Sequence, residues 1–208
     1  MTEKEDSPET PVVASAHNDP PGDDAEPSAH APAVHKVHFA EDGSSLAKAA
    51  KAARRGSHDH VILVPVDFSR HSEAALVFAA KLADCMPASL IVLHVVHDPA
   101  EMPGYYSRLV KKKRVDRIPE IAREVFDDFM KDSVRDHPGL KAIRKAENLM
   151  VIGLPVTRIL QVVEKVKPTL VVMGSQGRTG LKHLFLGSKA EQIVQLCPVP
   201  VTIVKQKK

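Results

Sequence analysis

Apolar runs and amphipathic stretches alternate along residues 58–208, and their order predicts the architecture. His60–Val66 (HVILVPV) is rich in β-branched residues and alternates little, the pattern of a strand buried on both faces. A helix follows through Ala75, Leu76, Ala79 and Leu82 towards Met86, with Ser69 as its N-cap, Ser72 as a rival, and Glu73 placing acid in the first turn. Pro87 ends it, and Ser89–Val96 forms a second buried strand. Strand, helix and strand with short joins imply a right-handed parallel crossover. Ile118, Ile121, Val125 and Phe129 recur at helical spacing opposite a polar face of Glu124, Asp127, Asp128 and Lys131. Pro138-Gly139 breaks the chain, and a third strand ends near Ile152-Gly153. Leu154-Pro155 makes a tight turn into a helix whose inner face is Val156, Ile159, Leu160 and Val163. Leu170–Met173 is a fourth strand, Lys189–Leu196 a last helix, and Val201–Val204, behind Pro198 and Pro200, a fifth strand. Five strands alternating with four helices predict an α/β fold, a doubly wound five-stranded parallel sheet with helices on both faces.

Residues 1–57 break this pattern. The first thirty residues carry eight Asp/Glu against one Lys and are rich in Pro, Ala and Ser. Such a segment buries too little apolar area to offset the entropy of ordering it, so a disordered acidic extension is expected. Its acidity argues against a mitochondrial-type transit peptide, and it has no apolar stretch of a secretory signal. From Ser44 the chain turns alanine-rich and basic, and Ser45 could cap a short helix. The apolar face of that helix is nearly all Ala, too thin for firm docking, which predicts a solvated, fraying helix. The expected division is therefore an extension over 1–57 and a folded α/β domain over 58–208. The acidic-then-basic order raises the idea of a docking arm for a protein partner.

Composition narrows the function classes. The chain has 208 residues, 43% of them hydrophobic but only 4% aromatic, so Val, Leu, Ile and Ala must build the core. A net charge of +3 is too mild to indicate nucleic acid, and the run Lys111–Arg114 near Tyr105 and Tyr106 fits a solvated surface better. No apolar run approaches the ~20 residues that span a bilayer. Two isolated cysteines, Cys85 and Cys197, are expected reduced and buried in a cytoplasmic protein. His58, His60 and His71 cluster in sequence, but a strand ~23 Å long separates the first two from the third, which excludes a shared metal. His94 within a strand is expected to be a satisfied core or rim histidine.

The chemistry concentrates in Leu170–Ser188 (LVVMGSQGRTGLKHLFLGS), a buried strand that empties into a glycine-punctuated loop and a helix start. Gly174 and Gly177 lie three apart, and nine residues separate Gly177 from Gly187-Ser188. Glycine permits φ > 0 and close backbone approach, so N–H groups can converge on an anion, and a helix start adds unpaired donors. Thr179 stands where a P-loop needs Gly, and no G-x-G-x-x-G occurs. The alternative is that these glycines only turn the chain and cap helices. Asp67, at the tip of the first strand, fits either a helix-capping carboxylate or a hydrogen-bond partner for a nucleoside at the carboxyl edge of the sheet.

The spacing G-x2-G-x9-G-S/T, here Gly174, Gly177, Gly187 and Ser188, resembles the ATP-binding signature of the universal stress protein family. The flanking segments Val64-Pro65-Val66-Asp67-Phe68-Ser69, Leu93-His94-Val95 and Pro198-Val199-Pro200-Val201 agree, over roughly His60 to Lys205. The resemblance implies strand order 3-2-1-4-5, which sets Asp67 beside Gly174 at the switch point. It implies a nucleotide site of Pro65, Val66, Asp67, Val95 (beside adenine), Met173, Gly174, Gly177, Gly187 and Ser188. Arg178 and Lys189 could neutralise phosphate charge or equally be solvated. Mg²⁺ is expected with ATP, held mainly by phosphate oxygens. The apolar last strand, free to pair at a sheet edge, and the family's habit imply a homodimer through that strand. The implied function is an ATP-binding stress-response regulator with a protein partner, no nucleic acid and no membrane. A slow ATPase or phosphoryl-transfer enzyme, or a nucleotide-independent scaffold, are the alternatives. Glu191 is the one acid near the cradle and fits a capping box with Ser188 better than catalysis.

Overall fold

The computed structural model describes residues 37–40, 43–54, 60–97, 118–177 and 186–206. Among these residues six parallel strands form one sheet: β1 His38–Phe39, β2 His60–Val66, β3 Ala88–Val96, β4 Glu147–Ile152, β5 Leu170–Gly174 and β6 Val201–Val204. Their order is β1-β4-β3-β2-β5-β6. β2 to β6 therefore follow the expected 3-2-1-4-5 order, and β1 adds a sixth strand that the pattern of the chain did not announce. The helices are α1 Gly43–Ala53, α2 Arg70–Cys85, α3 Ile118–Asp136, the short α4 Lys141–Arg144, α5 Pro155–Val166 and α6 Ser188–Leu196. Among the described residues no helix is long and apolar enough to cross a membrane.

The alternation of the central strands divides the core into two layers. Ile62, Val64 and Val66 of β2, with Leu90, Val92 and Val96 of β3, pack under α2, α3 and α4. Val61 and Leu63 of β2, with Ile91, Leu93 and Val95 of β3, pack under α1, α5 and α6. Every buried side chain of β2 and β3 is apolar except His94, which accounts for the near-continuous apolar runs.

α2 starts where expected. The Ser69 hydroxyl accepts the Ser72 backbone N–H at 3.2 Å, and Ala75, Leu76, Ala79, Ala80 and Ala83 face the sheet. Cys85 lies off that stripe and is exposed, and Cys197 is half-buried; both thiols are free, so the expectation of burial fails for both. The buried stripe of α3 runs through Ile118, Ala122, Phe126 and Met130, rotated from the expected one, whose Ile121 and Phe129 pack only at its margin. α5 begins at the anticipated turn: Pro155 is its first residue, and Gly153 takes φ 139°.

The N-terminal segment departs most from expectation. β1 pairs with β4 in the register His38–Leu149 and Phe39–Met150, and the Ala40 N–H extends the ladder to the Met150 carbonyl at 2.8 Å. α1 is no solvated helix: Leu46, Ala50 and Ala53 are buried in the layer that includes α5. Burying Leu46 contributes about 2 kcal/mol. The guanidinium of Arg54, just past α1, donates to the carbonyls of Val166 at 2.7 Å and Lys167 at 3.1 Å. Those carbonyls end α5, which closes with Lys167 in the left-handed conformation, so Arg54 caps α5 from outside. Alanine offers little area but lets helix backbones approach closely, and the thin stripe docks for that reason. Residues 37–54 thus belong to the same compact unit as the domain instead of to a separate extension. The acidic first thirty residues, Lys111–Arg114 and Arg178 lie outside the described residues.

Candidate functional site

The site begins where two central strands part. The β2–β5 ladder ends at Leu63–Val171. Beyond it β2 stays paired with β3 to Val66–His94, and β5 with β6 to Gly174–Val204. Pro65, which has no N–H to donate, falls in the stretch where β2 has left β5, and this accounts for a proline in a central strand. The parting lies at the carboxyl end of the sheet, at its topological switch point.

Asp67 is the first residue past β2. Its N–H points to the Ser72 hydroxyl at 3.3 Å, and its Oδ1 accepts the Ser69 N–H at 3.1 Å. The Ser72 hydroxyl in turn donates to the Ser69 carbonyl at 2.9 Å. Between them Phe68 adopts φ 63°, a conformation that costs a non-glycine residue of order 1 kcal/mol. An aromatic cluster holds it there. Phe68 stacks on His94 at 4.2 Å between ring centroids and meets Phe126 at 5.7 Å and Phe129 at 5.4 Å. The Nδ1 of buried His94 lies 2.8 Å from the Val66 carbonyl, which can only accept, so the ring proton sits on Nδ1. His94 is the satisfied core histidine that its place in a strand suggested, and it also braces the turn that carries Asp67.

The three signature glycines do different jobs. A Cβ on Gly174 would lie 2.7 Å from the backbone C and O of His71, so this glycine lets β5 pass against the first turn of α2. A Cβ on Gly177 would lie 2.8 Å from Asp67 Oδ2; the missing side chain is the space the carboxylate occupies. A Cβ on Gly187 would make only ordinary contacts of 3.5 Å or more. None of the three has positive φ, so a left-handed backbone does not select them; room for a neighbour selects glycine at 174 and 177, and neither requirement applies at 187. The Gly187 N–H is already bonded to the Ser175 carbonyl at 2.8 Å and is no anion donor in this conformation.

α6 starts immediately after. Gly187 is its N-cap, with no side-chain cap bond, so the N–H groups of Ser188 and Lys189 lie in a first turn that offers them no intrahelical carbonyl. The capping box expected between Ser188 and Glu191 does not form, because Ser188 is already helical and Glu191 comes one position too late. Pro65, Val95 and Met173 are buried and, by strand alternation, share the sheet face on which α6 packs. Val66 points to the opposite layer, and its carbonyl serves His94, so its side chain is not part of this face. The structure thus brings together Pro65, Asp67, Val95, Met173, Gly177, Gly187, Ser188 and Lys189, and gives Gly174 a packing role.

Two contributors were not legible beforehand. Phe68 is one, since nothing in Val-Asp-Phe-Ser announces a left-handed residue. His97, at the tip of β3, is the other: the Lys189 ammonium lies 3.4 Å from its Nε2. Partial burial, and then the charge of Lys189, hold the His97 pKa below its ordinary value. The described residues contain no group of three His, Cys, Asp or Glu that could hold a metal ion.

A model of the universal stress protein family matches residues 60–205. Universal stress protein YxiE of Bacillus subtilis is 32% identical over 146 residues, 69% of this chain and 97% of the relative. Universal stress protein MJ0577 of Methanocaldococcus jannaschii is 26% identical over 153 residues, 70% of this chain and 94% of the relative. Among solved structures, universal stress protein UspA from Lactobacillus plantarum shares the fold with a TM-score of 0.56 at 24% identity, over 71% of this chain and 98% of that one. β1 and α1 precede the matched region, while the strand parting, Asp67 and the three glycines fall inside it. On the fold and the family match together, the chain belongs to the universal stress protein family.

Proposed function

We propose that this protein is an ATP-binding regulator of the stress response, acting in the cytoplasm as a nucleotide-responsive homodimer. The observation that carries the reading is the space at Gly177, where only a missing side chain admits the Asp67 carboxylate to the gap between β2 and β5, beside the glycine-capped start of α6. The shared face of Pro65, Val95 and Met173 offers an apolar wall for a purine. Asp67 is placed to accept from ribose hydroxyls. The first-turn N–H groups of α6, the Ser188 hydroxyl and Lys189 supply donors and charge for phosphates. Mg²⁺ would ride on phosphate oxygens, and Arg178 remains a candidate phosphate contact.

Binding is favoured over turnover. Phosphoryl transfer needs a positioned base and metal-holding acids. Among the described residues, Asp67 is braced on Ser69, and Glu191 is an exposed side chain on α6. β6 lies at the sheet edge with all four residues half-buried, and Val194 and Leu196 of the preceding α6 are exposed, which supports pairing with a second copy through this strand. The test is thermal unfolding with and without millimolar Mg-ATP, alongside Gly177→Val. At a hundred times its dissociation constant ATP adds about 2.7 kcal/mol, a rise of roughly 5–10 °C for this size. No rise in a folded, nucleotide-free wild type would leave the scaffold reading.

A further inference from the structure

Lys189 leans on a neutral base. Its ammonium has only protons to give, so the Nε2 of His97, 3.4 Å away, faces it with a lone pair and the imidazole proton sits on Nδ1. His97 follows β3 directly, two residues past Val95 and so beside the apolar face described above. Other charged groups stand at this end of the sheet. Asp67, at the tip of β2, is tied to the Ser69 N–H. Arg158 of α5 turns its Nε onto the Ile152 carbonyl at the tip of β4, 2.6 Å away. The influences that hold His97 neutral are its burial and, after that, Lys189. The contact is long for a hydrogen bond, and its two members repel once both are charged. An anion beside Lys189 reverses that balance, since it draws the ammonium away and favours imidazolium.

We propose that Lys189 and His97 form one proton-coupled phosphate contact, in which a bound nucleotide's phosphate draws Lys189 off His97 and His97 takes up a proton from solvent, so that both face the anion as cations. This rests on the nucleotide reading above and goes beyond it in making binding pH-dependent. The step moves one proton from buffer to Nε2 and changes no covalent bond to the nucleotide. The complex holds more protons than the free protein, so affinity rises as pH falls. The window runs between the lowered pKa of free His97 and its higher value in the complex, with up to tenfold in affinity for each unit between them.

The test follows the His97 ring by NMR across pH, in the nucleotide-free protein and with saturating ATP or adenosine. It is paired with calorimetric titrations in buffers of different ionisation enthalpy. Free His97 titrates below 6.5, moves back towards that ordinary value in Lys189→Met, and moves up in wild type with ATP but not with adenosine. Near pH 6.5 wild type takes up more protons with ATP than His97→Gln does, by as much as one per site; the variant removes the nucleotide's own protonation from the comparison. Saturable ATP binding with no change in the His97 titration overturns this proposal alone. So does a free His97 that ignores Lys189→Met. Absence of ATP binding to the folded protein overturns the nucleotide reading and this proposal with it.

Discussion

Gly174, Gly177 and Gly187 are interchangeable as letters in a spacing pattern, yet alanine at each should have a different effect. At Gly174 the new Cβ would meet the backbone of His71 at 2.7 Å, several tenths of an ångström inside ordinary contact. Backbone in the capped first turn of α2 cannot rotate away, so β5 or α2 must shift. Overpacking of this kind costs about 1–3 kcal/mol. Stiffening the unfolded chain returns about 0.4–1 kcal/mol. An overlap this deep against backbone falls in the upper part of the overpacking range, about 2–3 kcal/mol. The net loss is therefore about 1–2.6 kcal/mol, or a fall in melting temperature of roughly 2–10 °C for a chain of this length. At Gly187 the nearest contact is 3.5 Å, so the stiffening gain meets only alanine's weaker preference for the N-cap, and Gly187→Ala should melt within about 2 °C of wild type. At Gly177 the obstacle is the far end of the Asp67 side chain, which can swing aside; Gly177→Ala should fold normally and misplace the carboxylate. Calorimetric unfolding of the three nucleotide-free variants separates these cases. A Gly174→Ala protein as stable as wild type, or a Gly187→Ala protein as impaired as Gly174→Ala, would refute the assignment of roles.

Other consequences can be checked in parallel. Phe68→Ala loses the His94 stack and its contacts with Phe126 and Phe129, and should cost about 2–4 kcal/mol in urea unfolding while loosening the Asp67 turn. Leu46→Asp should release α1 from α5, seen as faster hydrogen exchange over residues 43–54 with exchange in β2 and β3 unchanged. Gly153→Ala combines a φ of 139° with a Cβ 2.8 Å from Arg158 Nε, and should destabilise by about 2 kcal/mol in the same urea experiment. His97 has a folded pKa below its ordinary value, so the unfolded chain binds the extra proton first. The stability it confers is therefore complete above pH 6.5 and is lost as pH falls through the folded pKa. His97→Gln should flatten that slope in urea midpoints measured between pH 5 and pH 7.5.

The central strands were legible because burial on both faces leaves a nearly unbroken apolar run, as in His60–Val66 and Ser89–Val96. The last strand was found to the residue because Pro198 and Pro200 punctuate it. β1 escaped notice since two residues, His38 and Phe39, carry no period and are fixed only by their partners on β4. The apolar area of α1 understates its hold on the domain, which close approach of alanine and the distant cap from Arg54 secure. At the site, the spacing of the glycines and the position of Asp67 pointed to the same edge of the sheet. What Gly174 and Gly177 accommodate depends on neighbours more than a hundred residues away, His71 and Asp67, and no local pattern holds that information. Phe68 and His97 were invisible for a related reason: one is defined by a backbone angle, the other by a lysine brought in from α6.

The most direct measurement is calorimetric titration of Mg-ATP into nucleotide-free wild type and Asp67→Ala, with the fold of both checked by circular dichroism. A nucleotide seated in the gap between β2 and β5 predicts saturable binding with one site per chain, weakened tenfold or more in Asp67→Ala, the effect of losing a charge-assisted hydrogen bond of about 1.5–3 kcal/mol. Equal affinity in the two proteins, or no binding to folded wild type, would contradict a nucleotide site at Asp67 and Gly177.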